Sequence, residues 1–308
     1  MEKQPLLPTV NQTHSTYKEF VKTHLTKAFI YGTAVYLILT MLRLSCLDHT
    51  SEITTNHVVG PVYHYHKLLE FKYDPSLFPR LSIKQKTEGF ECRSGDATVV
   101  VDDQIEQVLV SFDFSMTSKE LEDTVWVESF EEQDLYSLVM RAKSEIKDAC
   151  FYTDITVRVP TKDAIKEFVI ALDNHDIHLK KDLVFKAVDI EVANGDIHFK
   201  EGISTGKTRI SASNGDITGR INTLFNDNLI LSLSNGHSDV DVDQIQQDHP
   251  ILIKNSASNG RVSLSLPTDF QSQFKLSTML GSMRIRAETS KVHYTSKKWG
   301  STSGYYGD

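Results

Sequence analysis

A short pattern returns along the second half of this chain and limits what it can fold into. Asn174-His175-Asp176-Ile177 recurs as Asn194-Gly195-Asp196-Ile197 and Asn214-Gly215-Asp216-Ile217. Degraded copies follow at Asn235-Gly236-His237-Ser238 and Asn259-Gly260-Arg261-Val262, with Leu280-Gly281-Ser282-Met283 as a last trace. A fixed period of about 20 residues signals a repeat architecture, in which one unit buries its apolar face against the next.

The columns of the repeat support this. Four residues before each Asn stand Ile170, Ile190, Ile210, Leu231, Asn255 and Leu276. Three after it stand Ile177, Ile197, Ile217, Ser238, Val262 and Met283. Apolar residues alternate with polar ones on both sides of the Asn, which reads as strand, sharp corner, strand. Asn and Gly tolerate the positive φ that such a corner needs. Asn-Gly between strands also suits a two-residue hairpin. Matching columns favour stacking of unit on unit instead. The predicted fold class is therefore mainly β: a right-handed parallel β-solenoid with coils of about 20 residues. The ladder Asn174, Asn194, Asn214, Asn235 and Asn259 marks its turns.

The repeated units, preceded by Asp154-Ile155-Thr156-Val157-Arg158-Val159-Pro160, resemble an adhesin-like family of unknown function found in membrane and surface proteins. The resemblance covers roughly Asp154 to Ala287 and departs from the pattern at His175, where glycine is usual. It implies a β-solenoid with no known reaction and no established ligand.

Upstream, period-two runs such as Val108-Leu109-Val110-Ser111-Phe112-Asp113-Phe114 read as strands. Residues 134–149 place Leu135, Leu138, Val139, Ala142 and Ile146 on one helical face and are expected to form a helix. Ala28 to Leu42 is an apolar run, extended past Arg43 by Leu44 to Leu47, long enough for a bilayer-spanning helix. Lys3, Lys18, Lys22 and Lys27 precede it, which predicts a cytosolic N-terminus. The expected organisation is a cytosolic tail at 1–27, a transmembrane signal-anchor helix at 28–47 and a stalk at 48–67. A β-rich part at 68–153, the solenoid at 154–290 and a C-terminal tail at 291–308 complete it. Glu2, Leu6 and Leu7 match an acidic dileucine sorting signal of the kind clathrin adaptors read. The expected location is thus single-pass in an endosomal or vacuolar membrane, or at the cell surface.

The net charge of −8 argues against nucleic acid as a partner, which requires a basic face. Of three cysteines, Cys92 and Cys150 are the pair available for a disulfide beyond the apolar run, or else two buried thiols. The Asp176, Asp196 and Asp216 column offers oxygens to Ca²⁺, but the period is too long for a nonapeptide calcium roll, so support of the turn is the preferred role. His178 with His198, and His64 with His66, make poor metal sites without further ligands. No metal, cofactor or catalytic residue is assigned. The expectation is a non-enzymatic, adhesin-like module presenting glycan- or protein-binding faces. The alternative is a polysaccharide-active enzyme using Asp239, Asp241 and Asp243, beside Asp248. Phe270, Trp299, Tyr305 and Tyr306 are candidates to cap the last coil or contact a partner, and Gly300 to Asp308 is expected to be disordered.

Overall fold

Alternating burial organises the repeat. In the computed structural model, which describes residues 63–307 apart from 89–91, 144–149, 226, 250 and 269–270, β8 (Glu167–Leu179) buries every second residue on either side of its corner. Leading up to the corner, β12 (Leu229–Asn235) and β15 (Ile251–Asn259) alternate in the same way, and β9 (Leu183–Asn194) does so from Val188 to Val192. Ile170, Ile190, Ile210 and Leu231 are essentially inaccessible, and so are Ile177, Ile197 and Ile217. Removing such branched side chains from water is the main favourable term for a sheet of this kind, at roughly 1.5–3 kcal/mol per side chain.

Pairing follows the columns. β8 runs parallel to β9 with Ile170 opposite Ile190 and Asn174 opposite Asn194. β10 (Ile197–Asn214) continues the register with Ile210 opposite Ile190 and Asn214 opposite Asn194. β12, β15 and β17 (Ser272–Leu280) follow in parallel, so that Asn235, Asn259 and Leu280 extend the column. Beyond the corner, Ile177 lies opposite Ile197 and Ile197 opposite Ile217, where β11 (Ile217–Phe225) begins. β13 (Ser238–Val242), β16 (Val262–Ser265) and β18 (Met283–Arg286) carry that second series on, and the two-residue β14 (Ile245–Gln246) joins it beside β11. The strands flanking each Asn-Gly pair with the neighbouring repeats, not with each other.

The corners depend on glycine. Gly195, Gly215, Gly236 and Gly260 have φ between +134° and +144°. A Cβ on Gly215 would also stand 2.0 Å from the carbonyl oxygen of Gly195 beneath it. Only glycine satisfies both the torsion and the space. At His175 the chain stays extended through the corner, and the imidazole is buried. The residue opposite is Gly95 on β3 (Cys92–Val101), where any Cβ would come within 2.6 Å of His175 Nε2. The missing glycine of the first repeat is thus matched by a glycine one layer away.

The upstream segment joins the same sheet. β2 (Arg80–Glu88) lies parallel to β8, and β3 lies parallel to both β8 and β7 (Cys150–Val159). β4 (Val108–Met116) is antiparallel to β7, and β1 (Tyr65–Tyr73) is antiparallel to β4. Cys150 is disulfide-bonded, and the residue opposite it in the β3–β7 register is Cys92.

Three expectations are corrected here. Residues 135–143 form strand β6, parallel to β2 and antiparallel to β5 (Val125–Glu132), instead of a helix. Tyr136, Leu138, Met140 and Ala142 are buried at every second position, so period two wins over the partial helical match. The supposed tail forms β19 (Val292–Lys298) and β20 (Ser301–Tyr306); β20 covers the edge of β17 and buries Tyr306. A closing partner satisfies the backbone groups that an open last strand would expose. Finally, among the described residues no helix is long and apolar enough to cross a membrane, which overturns the single-pass localisation. The apolar run at 28–47, the dileucine residues Glu2, Leu6 and Leu7, and Phe270 lie outside the described residues, and the stalk expected up to residue 67 gives way to β1 at Tyr65.

Ile197→Asp buries an unpaired charge in the stacked column and is expected to cost at least ~3 kcal/mol. Lys200→Asp, on the exposed side of the same strand, is expected to stay within ~0.5 kcal/mol. Urea unfolding of both variants checks the inward assignment; equal midpoints would show that Ile197 does not face the core.

Candidate functional site

The Asn and Asp columns are occupied by the fold itself. Asn194 Nδ2 donates to Asn174 Oδ1 at 2.6 Å, and Asn214, Asn235 and Asn259 each donate to the Asn before them at 2.6, 2.8 and 2.7 Å. The backbone N–H of Asp196 donates to Asp176 Oδ1 at 2.8 Å, and that of Asp216 to Asp196 Oδ1 at 2.7 Å. The N–H of His237 donates to Asp216 Oδ1 at 2.6 Å. Each carboxylate therefore accepts from the corner of the following repeat, the turn-supporting arrangement. His178 and His198 stack with ring centroids 5.3 Å apart, and His198 Nδ1 lies 2.7 Å from Thr218 Oγ1. Burial, then the nearby Lys200, lowers the pKa of His198, and Asp196 partly opposes them.

The register extends this acidic row towards the N-terminal strands. Asp176 lies opposite Asp96, Asp96 opposite Asp154, and Asp154 opposite Asp113. Asp96, Asp176 and His178 bring potential ligand atoms within 4.8 Å of one another. Tyr152 donates its hydroxyl to Asp96 Oδ2 at 2.6 Å. Partial burial and then the charge of Asp96 raise the pKa of Asp154; Tyr152 lowers it, and Asp113 adds a smaller upward push. Sequence reading named Asp176 and His178 but missed Asp96, Asp113 and Asp154 beside them, because those lie on other strands with no common spacing.

The face proposed for polysaccharide chemistry is tied to arginine. Arg286 Nη2 reaches Asp239 Oδ1 at 2.7 Å and Asp241 Oδ1 at 2.8 Å, and Arg220 Nε lies 3.8 Å from Asp243 Oδ2.

A different surface is built for binding. An open groove of about 650 Å³ lies where β8, β9, β10 and β11 meet. Lys166, Lys186 and Lys207 stand at its rim together with Asp163, Glu167 and Asp227, and Phe185, Val184 and Phe225 line it. Lys166 pairs with Asp163 at 2.9 Å, while Lys186 and Lys207 make no ion pair among the described residues. Gly206 keeps the wall close, since a Cβ there would lie 2.4 Å from the carbonyl oxygen of Lys186. A neighbouring groove of about 610 Å³ opens on Lys162, Lys180 and Lys181. Asp182 and Glu201 line this second groove as well, so the lysines are interspersed with carboxylates. The spacing of Lys166, Lys186 and Lys207 follows the repeat period, and that was the signal available in the sequence.

Asp154 sets a pH dependence. Its raised pKa means the folded state holds a proton that the unfolded state has released, over the window between the ordinary carboxylate value and the raised one. Stability therefore falls as pH rises through that window. Asp154→Asn is expected to raise the urea midpoint at pH 7 and to converge with the parent chain as pH falls below the window. A variant less stable at pH 7 would contradict the assignment.

Solved structures similar to this chain include a putative adhesin from Parabacteroides merdae, at 10% identity and a TM-score of 0.35, covering 73% of this chain and 97% of that one. A putative adhesin from Bacteroides fragilis shows 12% identity and a TM-score of 0.31, covering 72% and 94%. A putative lipid binding protein from Parabacteroides distasonis shows 12% identity and a TM-score of 0.27, covering 73% and 97%. Likeness at this level adds nothing to the geometry above. No curated protein matches the chain. Residues 136–308, more than half of its length, match a family described as a domain of unknown function, and the chain belongs to that family, DUF7330.

Proposed function

We propose that this chain is a non-enzymatic binding module, a right-handed parallel β-solenoid that takes an acidic glycan in its lysine-rimmed groove. The parallel registers at the 20-residue spacing of the Asn column support the winding. The groove carries the functional reading: Lys166, Lys186 and Lys207 surround an aromatic and aliphatic lining on rigid, adjacent strands. Ligand sites typically combine such an apolar lining with a few placed polar groups. The exposed C–H face of a sugar ring packs against Phe225, and its carboxylate lies towards the ammonium groups. The acidic surfaces fit this role less well, because their carboxylates bond corner amides or arginines.

The test uses the full chain and a panel of acidic and neutral polysaccharides. Acidic polymers are expected to bind, with affinity falling as salt rises, because exposed ion pairs are screened. Lys186→Glu combined with Lys207→Glu is expected to weaken that binding by about tenfold or more, one such step being ~1.4 kcal/mol. Preference for neutral glycans, or binding indifferent to the double reversal, would defeat this reading. Release of new sugar ends, abolished by Asp241→Asn, would establish the enzymatic alternative.

A further inference from the structure

The two ends of the longer strand series differ in charge in a way that fits one end to the other. That series runs β5, β6, β2, β8, β9, β10, β12, β15, β17, β20, β19. Among the described residues β5 pairs only with β6, and β19 only with β20. Each therefore presents an edge row of backbone donors and acceptors, a template for another strand, except that the Val125 carbonyl of β5 already accepts from Lys67 Nζ at 2.7 Å. β5 carries Glu128, Glu131 and Glu132 and no basic residue; β19 carries Lys297, Lys298 and His293 and no acidic one. Glu131, Glu132, Lys297 and Lys298 are all exposed. Large aromatic side chains flank both edges in the open, with Trp126 and Phe130 on one, and Tyr294 and Trp299 on the other.

Strand direction agrees with the charge. β5 is antiparallel to β6, while β6, β2, β8, β9, β10, β12, β15 and β17 share one direction. β20 reverses against β17 and β19 reverses again, so β19 runs with β17. A second copy displaced along the stack, without being turned over, brings its β5 antiparallel to β19 of the first. Antiparallel overlap sets the lysine end of β19 against Trp126 and Glu128, the latter also paired with Arg141 at 2.6 Å. It sets the glutamate end of β5 against His293 and, just before β19, Lys291, whose ammonium also donates to the Thr268 carbonyl at 2.8 Å. Opposite charges directly across a strand pair stabilise it, and like charges oppose it. Lysine on an edge usually prevents pairing with a like edge. Here it repels another β19 and selects β5.

The geometry points to head-to-tail self-association of this chain, with β19 of one copy docking on β5 of the next. The contact is heterologous, so it leaves a free β5 and a free β19 at the ends and propagates along the stack. It does not depend on the glycan reading, since none of these residues lines the lysine-rimmed groove.

Sedimentation velocity of the full chain, over a range of concentrations at low and high salt, tests this. The parent chain is expected to form a concentration-dependent series of species that salt disperses. Glu131→Lys with Glu132→Lys, and separately Lys297→Glu with Lys298→Glu, are each expected to raise the concentration needed for association by about tenfold or more, with far-UV circular dichroism unchanged. An equal mixture of the two variants regains association as pairs, because the unaltered β19 of the first then meets the unaltered β5 of the second, while the two altered edges set like charges against each other. A parent chain that is monomeric throughout, association that neither reversal moves, or a mixture that fails to recover would overturn the proposal.

Discussion

Each Asn-Gly corner rests directly on the corner of the preceding repeat, and this contact sets the register of the strands on both sides. The backbone carbonyl of one corner residue, that of His175 under Gly195 included, lies where the Cβ of the next would be, so the repeats close to strand spacing only if the next position is glycine. Once the corners are in register, the aliphatic columns are too, and Ile170, Ile190 and Ile210 share one dry interior. A slip of one residue would turn every column outward. The amide ladder from Asn174 to Asn259 adds an interaction that only the correct register permits.

The same economy explains which polar groups remain for function. Asp176, Asp196 and Asp216 look like a ligand row, yet each has an oxygen engaged by the backbone of the following corner. Asp239 and Asp241 look like a catalytic pair, yet they share Arg286. Among the described residues Lys186 and Lys207 make no ion pair, and they stand beside an apolar lining on neighbouring strands. A surface is available to a ligand to the extent that the fold does not already use it.

The ends of a stacked sheet pose a separate problem, because stacking has no intrinsic stop. At one end the chain reverses twice, through β20 and β19, and buries Tyr306 against the last repeat. At the other, β6 and β5 reverse once. These reversals cover the inner strands but leave new edges, now charged oppositely. Charge on an edge is a selective device: it blocks pairing with like edges and permits it with an unlike one.

Period and column identity were legible in the sequence, because a buried branched residue and a positive-φ glycine each demand a particular residue type wherever they occur. The positions of Asn174, Asn194 and Asn214, and of the aliphatic residues around them, follow from that local demand. The upstream strands were only partly legible: Leu138 and Val139 satisfy a helical face and a strand face alike, and only pairing with β2 decides between them. The tertiary structure alone could bring Asp96, Asp113 and Asp154 together, pair Arg286 with Asp239, and match His175 to Gly95, since these partners lie on strands remote in sequence. Local sequence fixes what each residue can tolerate; which residues become neighbours depends on the order in which the strands stack.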